Sequence, residues 1–464
     1  MLLERDRLNG FNLLEKKGSV NGGLPWIGEV RVRIMRVISR FSTILKKYPR
    51  QFWLVSLIML LAWLFHSLIW PYLMLYISQR LGEPLSSVAW LMTLNAAVGM
   101  VTTFMGGAIA DRFGRKGVMV FSLIFSALGW FLFRAAGTLP VFALLLVVTG
   151  ASTPLYRLAS DAMVADLIPE ANRLDAYSVL RMGNNFGVVL GPAIGGYLAS
   201  ISYGITFGVI GVGFGLIAVF VTLLIIETKP ASGKPVVVTA PTSGGYLRIF
   251  KDRVFMVMMG AYTLNRISTS ILWLLLAVYA KQNFGVSEKM FGFIPMTNAL
   301  MVVLFQLVVT RQVNRFRAET AMTTGALIYA IAIFCVAFGS GFWWFWLCMV
   351  AATIGEMILV PTTTTFTASL APEDMRARYM SLYALTWGIG TGLGPLLAGY
   401  VSDVFYSRAM WYAAGLVGFA GFLAFSFIAR LKKTNPHGFM HPSAEDVQAR
   451  GQRLARGKTR SDCE

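Results

Sequence analysis

Long apolar runs alternate with short polar breaks along most of this chain. Twelve runs stand out, at 52–77, 88–110, 117–137, 140–165, 176–200, 204–226, 254–280, 290–310, 320–340, 343–369, 379–401 and 409–430. Each is long enough, at about 20 residues or more, to cross roughly 30 Å of hydrocarbon as a helix. The alternating segments of ~10 residues that a membrane barrel needs are absent. The pattern predicts an all-α membrane protein with twelve transmembrane helices.

The polar breaks carry a second pattern. Residues 107–116 form a charged loop, with Gly107, Asp111, Arg112, Gly114, Arg115 and Lys116 between two apolar runs. A worn copy lies at 310–317, where Asn314 stands opposite Asp111 and Arg315 opposite Arg112, an offset of 203 residues. The same offset pairs Trp70 with Trp273, Tyr76 with Tyr279, Gln79 with Gln282 and Gly82 with Gly285. It also pairs Pro169 with Pro372, Arg173 with Arg376, Ser178 with Ser381, and Gly187, Gly191, Pro192 and Gly196 with Gly390, Gly394, Pro395 and Gly399. One gapless offset spanning each half predicts two six-helix pseudo-symmetric halves, 52–226 and 254–430, facing a central path. A segment at 1–51 precedes them, a linker at 227–253 joins them and a polar tail at 431–464 follows.

Composition agrees with a membrane protein. The 464 residues are 56% hydrophobic and 14% charged, and the mean hydropathy is +0.63. A soluble domain carries about a quarter charged residues. The net charge of +19 could suggest nucleic acid, but its placement points to lipid. Arg112, Arg115, Lys116, Arg173, Lys229, Arg248, Arg311, Arg315 and Arg376 fall in loops on one side of the twelve-span layout. The opposite loops hold few cations, so both termini are expected in the cytoplasm of a multi-pass cell-membrane protein, the inner membrane if the source is Gram-negative. Residues 30–50 read as a basic amphipathic helix lying on that surface, and no cleavable signal peptide is visible in the first 30 residues. The scattered Cys335, Cys348 and Cys463 indicate neither a disulfide framework nor a metal site.

The loop at 107–116 resembles the motif between helices 2 and 3 of the major facilitator superfamily. The run Gly187, Gly191, Pro192, Gly195 and Gly196 resembles the helix-5 motif of its drug–proton antiporters. The resemblance covers about residues 50–430 and implies the major facilitator fold. It further implies that Asp111, Arg115 and Asp166 form a cytoplasmic lock near the start of helix 11, steadying an outward-facing state. It places helices 1, 4, 7 and 10 around the central cavity.

Ionisable residues inside spans cost a few kcal/mol or more and mark function. His66, Arg157, Arg266 and Glu356 lie about 14, 17, 13 and 13 residues into spans 1, 4, 7 and 10. Glu356 is the leading proton carrier, with His66 and Asp161 as further candidates; its repeat partner is Thr153, so the shared scaffold does not impose the acid. An ion pair with Arg266 is the rival reading of Glu356, and Arg157 and Asp161, four apart, are placed to pair. Trp63, Trp70, Trp273 and Trp387 are candidate aromatic walls for substrate. Gly187, Gly191, Pro192, Gly195 and Gly196 read either as a pivot against a neighbour across the halves or as close packing. No nucleophile triad, phosphate loop or metal set is present, so the expectation is a transporter and not an enzyme. It needs no cofactor, draws on a proton gradient, and has a small molecule, protons and the bilayer as partners. It is expected to work as a monomer. The leading expectation is export of small, mostly apolar compounds, with transport of an organic anion through Arg157 and Arg266 as the alternative.

Overall fold

The computed structural model describes residues 47–228, 249–372 and 375–434. Most of the expected amphipathic helix, the greater part of the linker and the polar tail lie outside them. Met1–Trp53 forms a unit of its own, and Leu54–Glu464 forms the second. In the first, Tyr48, Phe52 and Trp53 pack ring against ring at 4.6 to 6.0 Å.

The described residues hold twelve long helices, in order α1 (Arg50–Leu81), α2 (Leu85–Phe113), α3 (Arg115–Phe133), α4 (Leu139–Leu167), α5 (Glu170–Ile201) and α6 (Tyr203–Leu224). Then come α7 (Arg253–Phe284), α8 (Glu288–Val313), α9 (Ala318–Cys335), α10 (Gly341–Leu370), α11 (Arg376–Val404) and α12 (Ala409–Thr434). Ten are apolar and long enough to cross a membrane. The remaining two, α5 and α11, are long enough at 32 and 29 residues but begin with charged turns, Arg173 and Asp175 in one and Arg376 and Arg378 in the other.

The helix ends follow from local chemistry. Gly82 and Gly285, matched by the offset, close α1 and α7 in the left-handed conformation at φ +64° and +65°. That conformation costs glycine little and lets its N–H reach back to a carbonyl of the last turn. Asp252 caps α7 by accepting from Phe255 N–H at 3.0 Å, as side-chain oxygens do at helix starts. Pro71 interrupts α1 with a short 3-10 turn at Trp70–Tyr72, since proline brings no N–H to the helical ladder.

Within each half α3 packs on α4 and α6, and α9 on α10 and α12; across the halves α2 packs on α11 and α5 on α8. The offset survives in the packing. Ser67 Oγ donates to Gly187 O at 3.1 Å, and its partner Ser270 Oγ donates to Gly390 O at 2.6 Å.

That seam corrects the pivot reading of the α5 glycines. Gly187, Gly191 and Gly195 meet Leu60, Leu64, Ser67 and Leu68 of α1, inside their own half. Only Gly196 reaches across, to Glu288 O. The small residues buy backbone approach within a half, and the motif is mainly packing.

Candidate functional site

The charged loop at 107–116 gathers at one end of the bundle, here called the basic end. Arg115, with its side chain only 9% exposed, bonds Asp111 Oδ1 at 3.0 Å and Asp166 Oδ2 at 3.1 Å. The three expected residues therefore meet, held by charge-assisted bonds. Asp111 is 62% exposed, and Arg115 is its ion-pair partner among the described residues. Arg112 lies over the Phe113 ring at 5.5 Å, while Gly107 has open space beside it.

Glu227, on the first residues of the linker, was not among the expected site residues. Its Oε1 accepts from Arg115 N–H at 3.0 Å and its Oε2 from Lys116 N–H at 3.1 Å. These are unpaired donors of the first turn of α3, where a carboxylate also meets the positive helix end. Thr228 Oγ1 adds a bond to Asp166 Oδ2 at 3.1 Å. The worn copy at 310–317, with Asn314 in place of the acid, forms no ion pair among the described residues.

A cavity of about 460 Å³ lies between the halves. Its walls include His66, Trp70, Asn95, Met100, Phe104, Trp130, Arg157 and Trp387, so α1 to α4 and α11 supply most of it. Among the described residues that line it, Arg157 is the one Lys, Arg, Asp or Glu. At the opposite, far end the halves meet: Tyr72 Oη donates to Glu288 O at 3.3 Å and Gln282 Nε2 to Ser78 Oγ at 3.1 Å. Toward the basic end two of its walls, Phe104 and Trp387, are exposed. A pocket of about 70 Å³ adjoins His66, lined also by Trp63, Tyr156 and Arg157. His66 stacks on Trp70 at 5.6 Å with Trp63 and Trp130 edge-on at 6.2 Å, and its Nδ1 has no hydrogen-bond partner.

Of the four ionisable residues inside spans 1, 4, 7 and 10, only His66 and Arg157 line the cavity. Glu356 sits inside the second half, where its Oε2 accepts from Asn298 Nδ2 at 2.9 Å and Tyr329 Oη at 3.3 Å. Arg266 is buried, bonded to Tyr262 Oη at 2.7 and 3.1 Å and stacked 4.4 Å over Trp387. No Arg266–Glu356 contact within 4.0 Å forms among the described residues, although the two charges lie close enough to act on each other. Arg157 and Asp161 likewise do not pair. Two expected walls also move: Trp63 faces the small pocket, and Trp273 lines neither cavity.

Asn298 and Tyr329 were missed by sequence reasoning. The offset held a signal for one of them, because Asn298 pairs with Asn95. Both amides are turned inward, Asn95 to Leu146 O at 2.8 Å and Asn298 to Thr353 Oγ1 at 2.9 Å.

Comparison with known proteins fits this architecture. The Major Facilitator Superfamily model matches residues 55–264 and 258–446. A Na(+), Li(+), K(+)/H(+) antiporter of Planococcus maritimus is 28% identical over 361 residues, covering 71% of this chain and 84% of its own. The quinolone resistance protein NorA of Staphylococcus aureus (strain MSSA476) is 23% identical over 358 residues, covering 75% and 89%. Among solved structures, a bacterial homolog of the human lysosomal transporter Spinster aligns with a TM-score of 0.69 at 15% identity, covering 82% of this chain and 96% of that one. With twelve helices in two matched halves and a family match along most of its length, the chain belongs to the major facilitator superfamily of membrane transporters.

Proposed function

We propose that this transporter exports small, mostly apolar compounds across the cell membrane in exchange for protons, by alternating access and as a monomer. The observation that carries the reading is Glu356. It is a carboxylate inside a transmembrane bundle, held by an amide and a phenol, with no cation within 4.0 Å among the described residues, and an ionisable group so placed marks function. The antiporter and the quinolone resistance protein among its relatives support exchange and a drug-like cargo. The positive-inside rule puts the basic end, the linker at 227–253 and both terminal segments in the cytoplasm. The exposed walls of the cavity then face inward, where an exporter loads. One proton crossing 100 mV supplies ~2.3 kcal/mol.

The cavity suits neutral, aromatic cargo, with Trp70, Trp130 and Trp387 as walls. The organic-anion alternative loses its clamp, because Arg157 faces the cavity while Arg266 is bound to Tyr262.

Purified protein in proteoliposomes with an imposed pH gradient tests the reading, using a panel of neutral aromatic dyes, an aromatic anion, Na+ and K+. Dye movement should follow the gradient in the unaltered protein. Glu356→Gln should remove gradient-driven accumulation while leaving downhill exchange. Dye transport indifferent to pH, or a Glu356→Gln protein that still accumulates dye, would sink it.

A further inference from the structure

Helix α2 begins without a cap of its own. Pro84 occupies the N-cap position and makes no side-chain cap bond. A helix start leaves its first N–H groups without intrahelical acceptors, and proline has no side-chain oxygen to offer them. The acceptors come from the other half. Asp403, next to last in α11, takes Leu85 N–H at 3.1 Å through Oδ1 and Ser86 N–H at 2.8 Å through Oδ2. Gly399, one turn earlier, permits the approach, since a Cβ there would stand 3.0 Å from the Ser86 backbone. Nearer the middle, Thr93 Oγ1 donates to Gly392 O at 2.6 Å along the same contact.

Asp403 is otherwise poorly placed. A carboxylate at a helix C-terminus faces the negative end of its own dipole. It forms no ion pair among the described residues. Its repeat partner, Ser200, bonds only within α5, to Tyr197 O at 2.7 Å. The shared scaffold therefore does not explain the acid, whereas the bare start of α2 does.

We propose that Asp403 is a latch: by capping α2 from across the halves it holds the far end closed during the transport cycle. Opening that end parts α2 from α11 and returns two N–H groups and a carboxylate to water together. A cap of ordinary strength biases such an equilibrium about fivefold. The pair is reciprocal in form. The two helices run antiparallel, and each ends in an acid, Asp111 on α2 and Asp403 on α11. In this state Asp403 caps α2, while Asp111 bonds Arg115 on its own side of the molecule.

Hydrogen–deuterium exchange of the full chain in lipid nanodiscs reads the cap directly, with no cargo or gradient, so its failure leaves the proton reading standing. Asp403→Ala should speed exchange at the start of α2 about fivefold while leaving α9 unchanged. It should also lengthen the distance between spin labels at Glu83→Cys and Tyr406→Cys in a background without native cysteines. Asp403→Asn keeps an acceptor oxygen and should retain most of the protection. Pro84→Ser gives α2 a cap of its own, and in that background Asp403→Ala should lose its effect on exchange. Should Asp403→Ala not fold, Gly399→Val, which wedges α11 off Ser86, reads the same contact. Unchanged exchange and distances in Asp403→Ala, or an effect undiminished by Pro84→Ser, would overturn the latch.

Discussion

Two glycines of one loop motif carry different physical demands. Gly114 joins α2 to α3 at φ +87° and ψ 152°, a region essentially restricted to glycine. A Cβ there would also stand 2.5 Å from Glu227 Oε2, displacing the carboxylate that caps α3. Gly107 lies inside α2 with nothing within 4 Å. Gly114→Ala should therefore cost about 1–3 kcal/mol from backbone strain, plus the loss of the Glu227 contacts. Gly107→Ala should leave stability unchanged or raise it by up to ~1 kcal/mol, as alanine favours helix. Thermal unfolding in detergent, followed at equal lipid content, distinguishes them. Equal midpoints for the two variants would contradict the geometry. The family motif at this position thus combines one glycine needed for the turn with another whose reason is not local stability.

At the scale of elements, the seam between α1 and α5 makes a graded prediction. Ser67→Ala removes a buried hydroxyl bond to Gly187 O, and Ser270→Ala removes its counterpart to Gly390 O. Each should cost about 1 kcal/mol. Gly195→Leu should prevent assembly, because its side chain would run into the Leu68 carbonyl. Yield and monodispersity by size-exclusion chromatography separate these outcomes; a well-folded Gly195→Leu protein would show that the seam can open. The ends of several helices were legible in sequence, though the run at 176–200 became Glu170–Ile201, six residues longer at its charged start. The run at 254–280 became Arg253–Phe284, and the run at 343–369 became Gly341–Leu370. Length and polar breaks fix where a span starts and stops, and glycine and proline mark its joints. The positions of His66, Arg157, Arg266 and Glu356 along their helices were legible for the same reason. Their direction was not. Lipid and protein interior are both apolar, so a span shows no clear hydrophobic face, and rotation about its axis leaves little trace. Arg266 and Glu356 lie inside their spans as His66 does, yet point into their own half, toward Tyr262 and Asn298. The Asp403 cap was hidden differently, since it joins residues 317 apart in an interface that only the fold creates.

For the whole molecule, the two acids that end α2 and α11 should push the transport equilibrium in opposite directions. Asp403 stabilises the state open at the basic end by capping α2. Asp111, under the role that the family resemblance implies for it at the start of α11, would stabilise the state closed there. Asp111 and Leu85 lie 26 residues apart on one helix, or about 39 Å, far beyond the ~8 Å screening length of physiological salt. Substitutions at the two ends should therefore add without coupling. Asp403→Ala should shift the population toward the far-end-open state by about 1 kcal/mol, and Asp111→Ala should shift it back by a similar amount, given that Arg115 keeps its second partner, Asp166. The double variant should then return close to the unaltered distribution, although both single variants depart from it. Spin-label distances measured at both ends report this without reference to cargo. If the double variant instead sits with either single one, the two ends are coupled through the bundle, and the acids act as parts of one network and not as separate latches.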